Sequence, residues 1–432
     1  MFSMFSSGSA PGESTFHPVT DAFGPNDGFG ELVPADTEWL CAGGFVTETQ
    51  VWYNVLEDGT WMMCQVIHSS IGLWYPTVQF SSKIYNPNTK ETTWKSVNVS
   101  HFKAPPPPSG GVTYDKRSCK ADEFTIIHKS DDKDPNAVES YTINANLGKE
   151  LQVSVVITRP ASVPGWKFGK GPTGGISNFG RDPNKREGYV VHRFWPRTEV
   201  NGHVIANGKA INAHGPGVFI HAIQGMRPNL VATSWNFANF QSNQHGGISA
   251  IQMEFTTLEQ FGPKGAGSGG VKVNVGSLVV GGKLVAVTGE TGHIEQKGSE
   301  EALVKSRATH VATEYDPDTK YKAPTKLQFE WAGPSIVPGV QGDVKAKLEL
   351  EIGSAQAPNG LIEKVDLLAE IPKAAKAVVS YVTGAKPYIY QYLNPTTLEI
   401  TCPASLVSGG DSQEPQTITV HGSLFNEASF VS

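Results

Sequence analysis

Residues 47–70 read TETQVWYNVLEDGTWMMCQVIHSS. Two runs of strand-like composition flank Glu57-Asp58-Gly59-Thr60, and the Asp-Gly pair signals a tight hairpin because Gly accepts the positive φ the turn demands. A strand with one face in water alternates apolar and polar residues. Here neither face reads polar: Val51, Tyr53 and Val55 alternate with Trp52, Asn54 and Leu56, and Trp61, Met63 and Ile67 alternate with Met62, Cys64 and Val66. The hairpin is therefore expected to be covered on both sides. Against the second face lies either more protein or a ligand.

Outward from this hairpin the signal stays β. Strands are expected at 74–85, 92–100, 122–129, 141–146 and 150–158, with short connections that suit an antiparallel meander. The stretch GWKFGKGPTGGISNFG (165–180) carries six glycines in sixteen residues and reads as a long interdomain or lid loop. Its Gly169-x-Gly171-x-x-Gly174 has the spacing of a dinucleotide turn, but Pro172 lies inside it and no βαβ unit surrounds it, so no cofactor is assigned. A second β series starts near Tyr189, with Asn201-Gly202 and Asn207-Gly208 as two successive hairpin turns. It continues through about eight or nine strands, the number that closes a small barrel around one ligand. Residues 372–384 break the rhythm: Pro372 and Gly384 bracket a short helix with Ala375, Val378, Val379 and Val382 on one side. Residues 1–37 open with MFSMF, then turn to Gly, Ser and Pro, and read as a flexible leader.

Composition narrows the function. A chain of 432 residues with 39% apolar content can bury more than one core. Charged residues are 18% of the total and the formal net charge is −6, which removes the electrostatic footprint of a nucleic-acid binder. Cys41, Cys64, Cys119 and Cys402 are widely spaced in or beside apolar runs, which fits reduced structural thiols rather than a disulfide framework or a zinc site. Neither a secretory signal nor an apolar span of about 18 residues is visible, so a soluble cytoplasmic protein is expected.

Several blocks resemble one family. HRFWPRTEVNGHV (192–204), FIHAIQGMRPNLVATSWNFANFQS (219–242), VNVGSLV (273–279) and GAKPYIYQYLNP (384–395), with FVTETQVWYN (45–54) and VQFSSKIYNP (78–87), are similar to the fungal survival-factor proteins. The resemblance implies an all-β fold of two tandem lipocalin-like antiparallel β-barrels with one short helix near the C-terminus. It places an N-terminal domain at 38–196 and a C-terminal domain at 197–432. It further implies carriage of ceramide-type sphingolipids between endoplasmic reticulum and Golgi, peripheral membrane contact, and a link to survival of oxidative stress. Relatives dock through an amphipathic N-terminal helix; MFSMFSSGSAPG departs from that pattern, since Gly8 and Pro11 interrupt it.

A carrier must shield apolar surface worth about 0.8 kcal/mol per CH₂, so a dry lumen left unfilled by side chains is expected. In TSWNFANFQS, Trp235, Phe237 and Phe240 interleave with Asn236, Asn239 and Gln241, amides beside large apolar surfaces of the kind a ceramide head group needs. The competing reading makes them corner aromatics and turn amides. With Trp195 and His221 they form the candidate ligand set. His192, His203 and His221 lack the spacing of a metal site on one helix or turn, and no metal is assigned. No H-E-x-x-H, G-x-S-x-G or P-loop occurs. A shaped apolar pocket can still run a cofactor-independent isomerisation or pericyclic reaction on an apolar polyketide or terpenoid, and Glu254, flanked by apolar residues, would be its general acid.

Overall fold

The computed structural model describes residues 15–24, 26–71, 76–130, 139–182, 185–262, 270–293, 305–367 and 386–431. Two antiparallel sheets carry most of them. The first contains β1 Phe16–His17, β2 Phe29–Glu31, β3 Phe45–Val55, β4 Trp61–Ile71, β5 Thr77–Asn86, β6 Glu91–Asn98 and β7 Cys119–Lys120. It continues with β8 Phe124–Lys129, β9 Glu139–Asn146, β10 Leu151–Arg159, β11 Trp166–Phe168, β12 Ile176–Phe179, β13 Gly188–Ala206 and β14 Lys209–Gln224. The second contains β15 Ser234–Ser242, β16 Ile248–Thr256, β17 Val271–Val280, β18 Lys283–His293 and β19 Lys305–Tyr315. It ends with β20 Lys322–Pro334, β21 Asp343–Glu351, β22 Leu361–Asp366, β23 Tyr388–Pro403 and β24 Pro415–Phe430.

The two sheets share one topology. The first runs β6-β5-β4-β3-β14-β13-β10-β9-β8-β7 and the second β18-β17-β16-β15-β24-β23-β21-β20-β19. In each, a four-strand meander is joined through its first strand to the last strand of the unit. Curling brings the ends of the first path together, so that Phe80 of β5 stacks on Phe124 of β8 with ring centroids 4.9 Å apart. Each sheet thus closes over its own apolar core.

The opening hairpin forms as its Asp-Gly pair predicts. Gly59 sits at φ 85°, Asp58 accepts from the Thr60 amide, and β3 pairs with β4 from Phe45–Ile71 to Val55–Trp61. Its two faces separate as the alternation requires. Trp52, Leu56, Met62 and Cys64 enter the first barrel, whereas Val51, Tyr53, Trp61 and Met63 pack on residues of the second sheet.

The expected empty lumen is not what lies inside. Trp52, Tyr141, Trp195 and Phe219 meet in the first barrel at centroid distances of 4.9–5.2 Å. Phe240, Phe329, Trp331, Tyr390 and Tyr392 are buried in the second. Large rings at inward positions occupy the width that an eight-strand barrel leaves for a ligand.

Other local readings differ from the structure. Asn201-Gly202 is no turn but the middle of β13, where a Cβ on Gly202 would come within 2.3 Å of the Ser154 carbonyl oxygen; glycine there serves close strand approach. Asn207-Gly208, at φ 49° and 78°, is the turn. The glycine-rich stretch 165–180 contributes β11 and β12 rather than a free lid, and residues 15–24 and 26–37 are built into the fold instead of forming a leader. Residue 196, the expected domain boundary, lies within β13; the first sheet runs to Gln224 and the second begins at Ser234. The helix expected at 372–384 falls on residues outside those described.

Candidate functional site

Strand alternation scatters the eight candidate ligand residues over three environments. Trp195 and His221 face the first barrel interior. Asn236 and Phe240 face the second, where Asn236 donates to Glu254 at 2.8 Å and its carbonyl meets His310 Nε2 at 2.8 Å. Trp235, Phe237, Asn239 and Gln241 point the other way, into the seam between the sheets. Gln241 is fully engaged there: it donates to Asn239 at 2.7 Å and to Pro196 O, and accepts from Ser249 at 2.6 Å. Successive residues of one strand leave on opposite faces, so the six divide between the two faces of β15.

Glu254 is likewise committed. Its two carboxylate oxygens accept amide N–H bonds from Asn236 and Asn274, at 2.8 and 2.5 Å. It faces the second barrel, away from the apolar seam.

His221 belongs to a charged clamp across the mouth of the first barrel. Its Nε2 meets Glu48 at 2.9 Å and its Nδ1 meets the Asp36 carbonyl at 2.8 Å. Burial pushes the Glu48 carboxyl up, but its bonds to His221 and to the Leu40 and Cys41 amides outweigh that and hold it below its ordinary value. The Asp36 carboxylate binds Lys167 Nζ at 2.8 and 2.9 Å and pairs with Arg193. Trp39 follows into the barrel against Phe102. The segment Val33–Cys41 is thus fixed in place, with a polar mouth pocket of about 120 Å³ beside it lined by Arg117, Glu139, Arg159 and Trp195.

The seam is the more apolar place. Tyr53, Trp61, Phe237 and Phe425 stack across it at 4.5–6.2 Å, and Lys83, buried, reaches over to Glu363 at 2.6 Å and Gln391 at 2.9 Å. Where β13 faces β16 and β17, a cavity of about 10 Å³ opens between Val19, Val190, Met253, Phe255 and Val275. His192 also lines it. Its ring lies 5.7 Å from Trp235 and 6.2 Å from Phe255, and no hydrogen-bond partner for it occurs among the described residues. Burial pulls its imidazole down to about 4, so it is neutral near pH 7 and offers one donor and one acceptor to a chamber whose other polar side chain, Ser177, already accepts from the Val19 amide. In the sequence His192 is marked only as a lone polar residue on the apolar parity of a strand, Val190-His192-Phe194.

A pair of tandem barrels packed through a largely apolar seam defines the class of two-barrel lipocalin-like proteins. Solved structures share that architecture: an AttH protein from Nitrosomonas europaea aligns over 93% of this chain and 98% of its own at TM-score 0.50 and 10% identity. CghA aligns over 97% and 98% at TM-score 0.51 and 10% identity. These likenesses establish the fold. The model of the Svf1 family matches residues 6–432, and the chain belongs to that family. Relatives called ceramide-binding protein Svf1 include one from Schizosaccharomyces pombe, 29% identical over 98% of this chain and 95% of its own length. Those from Aspergillus fumigatus and Candida albicans are each 31% identical, over 93% and 98% of this chain and 91% and 94% of their own.

Proposed function

We propose that this chain is a non-enzymatic carrier of ceramide-type sphingolipids, cytoplasmic and in peripheral contact with membranes, that moves them between endoplasmic reticulum and Golgi and through this supports survival of oxidative stress. The observation that supports the reading is the seam chamber: largely apolar walls from both sheets around an imidazole that has no hydrogen-bond partner among the described residues, in a chain whose relatives are called ceramide-binding. A ceramide presents two apolar chains and a small head with amide and hydroxyl groups, so it needs extensive apolar shielding and few polar contacts. The chamber supplies that ratio. The isomerase reading with Glu254 as general acid is not favoured, because both carboxylate oxygens are already bonded to asparagine amides and face away from the seam.

The test is organic extraction of the protein purified from a eukaryotic host, followed by mass spectrometry. Ceramide at about one molecule per chain supports the carrier; protein that emerges free of lipid and does not take up ceramide from vesicles contradicts it.

A further inference from the structure

Lipid-binding pockets enclose about 300–1,000 Å³, and the seam chamber, at about 10 Å³, is near the minimum for one water molecule. Aromatic rings fill both barrel interiors, so room for a lipid in the seam has to come from something that leaves. Two segments cover the candidate spaces, and they are held very differently. Val33–Cys41 is bound by the Asp36–Lys167–Arg193 and Glu48–His221 contacts and is not a displaceable cover. Phe16–Asp21 is held lightly. It is a two-residue strand against Phe179 and Asn178 followed by a single 3₁₀ turn. Besides that pairing, its polar ties include His17 Nε2 to the Gly180 carbonyl, the Val19 amide to Ser177 Oγ, and Thr20 Oγ1 to Thr291 Oγ1 at 2.5 Å.

Its apolar side chains are nevertheless buried in the seam. Phe16 and Val19 are 2% and 4% exposed, Phe16 lies 4.6 Å from Phe179 and 6.2 Å from Phe255, and Val19 forms a wall of the His192 chamber. We infer that Phe16–Asp21 is a strap that fills the lipid site of the empty chain, with Phe16 and Val19 standing where an acyl or sphingoid chain lies when lipid is bound, so that loading and release require the strap to swing out. The inference rests on the carrier reading and adds what opens the site. The strap bridges the first sheet at β12 and the second at β18, so its departure breaks only the two-residue β1–β12 pairing of the first sheet and uncovers Val190, Val273, Phe255 and His192 together.

The experiment uses the full chain with Thr20→Cys and Thr291→Cys, two positions whose side-chain oxygens already touch, within the reach of a disulfide. Transfer of a fluorescent ceramide between phosphatidylcholine vesicles is measured for oxidised and reduced protein, with wild type under both conditions. The strap predicts at least a tenfold slower transfer by the oxidised variant and recovery on reduction, with wild type unchanged. A second variant, Val19→Asp, which drives the strap from the apolar wall, is predicted to load several-fold faster. Equal transfer in the two redox states overturns the strap, and so does failure of the two thiols to pair, since the segment would then not sit here in solution. Transfer absent from wild type as well would remove the carrier reading itself, a result distinct from a strap that does not gate.

Discussion

The ring of Tyr53, on the outward face of the opening hairpin, lies 4.9 Å from that of Phe425 on the last strand of the second sheet. One contact therefore ties the first hairpin of the chain to its end, and explains why that hairpin has no polar face. The seam buries aromatic rings from both barrels and is a core in its own right rather than a loose interdomain contact.

Truncating this contact should be felt by the whole molecule. Phe425→Ala leaves a cavity among Tyr53, Trp61 and Phe237 and is expected to cost about 3–5 kcal/mol. Urea unfolding followed by tryptophan fluorescence should show a lower midpoint and, with the barrels decoupled, a broader transition. An unchanged midpoint would show that the seam contributes little.

The imidazole in the chamber makes a prediction about pH. Burial lowers His192, and likewise His310, from 6.5 to about 4, so between those values the unfolded chain binds more protons than the folded one. Stability from these groups is complete above pH 6.5 and is lost as pH falls towards 4. His128 works in the opposite sense, because its bonds to Asp115 and Glu139 outweigh burial and raise it; its contribution is lost as pH rises. The His192→Phe variant should therefore lose less stability than wild type between pH 7.5 and 5, measured as the shift in urea midpoint.

The same substitution tests recognition. Replacing His192 with Phe preserves an aromatic ring beside Trp235 and Phe255 but removes the chamber's donor and acceptor. One lost hydrogen bond of about 1–1.5 kcal/mol corresponds to roughly tenfold weaker ceramide binding. Affinity for an analogue methylated at its amide and hydroxyls should not change. Equal losses for both lipids would mean that the residue acts through shape alone.

The clamp at the first barrel should behave as a buried ion pair. Asp36→Asn leaves Lys167, 2% exposed, without its carboxylate and is expected to destabilise by about 3–5 kcal/mol. The double variant Asp36→Leu with Lys167→Met should be less damaging than the single change. A double variant that is worse than the sum of the two singles contradicts this.

What could be read from the sequence follows strand periodicity. Alternation along residues 47–70 required two covered faces, and the Asp58-Gly59 and Asn207-Gly208 turns stand where their chemistry demands. Asn201-Gly202 misled because the glycine answers a tertiary need, the approach of β10, that no local pattern carries. The candidate set divides by a rule already legible: Asn236 and Phe237 are adjacent in a strand and leave on opposite faces. The His192 chamber was out of reach for another reason. Its walls come from residues 19, 190, 253, 255 and 275, brought together by barrel packing rather than by any contiguous motif. The packed interiors were also hidden, since an inward-facing Trp52 or Trp331 reads the same whether it lines a cavity or fills it.

The central claim, that lipid is held in the seam between the barrels, is tested most directly with a photoactivatable ceramide loaded from vesicles and cross-linked, the labelled peptides then being mapped. The account predicts labels on the strands around His192, Met253, Phe255 and Val275. Labels confined to inward-facing positions such as Tyr141 or Trp331 would place the lipid inside a barrel and contradict it.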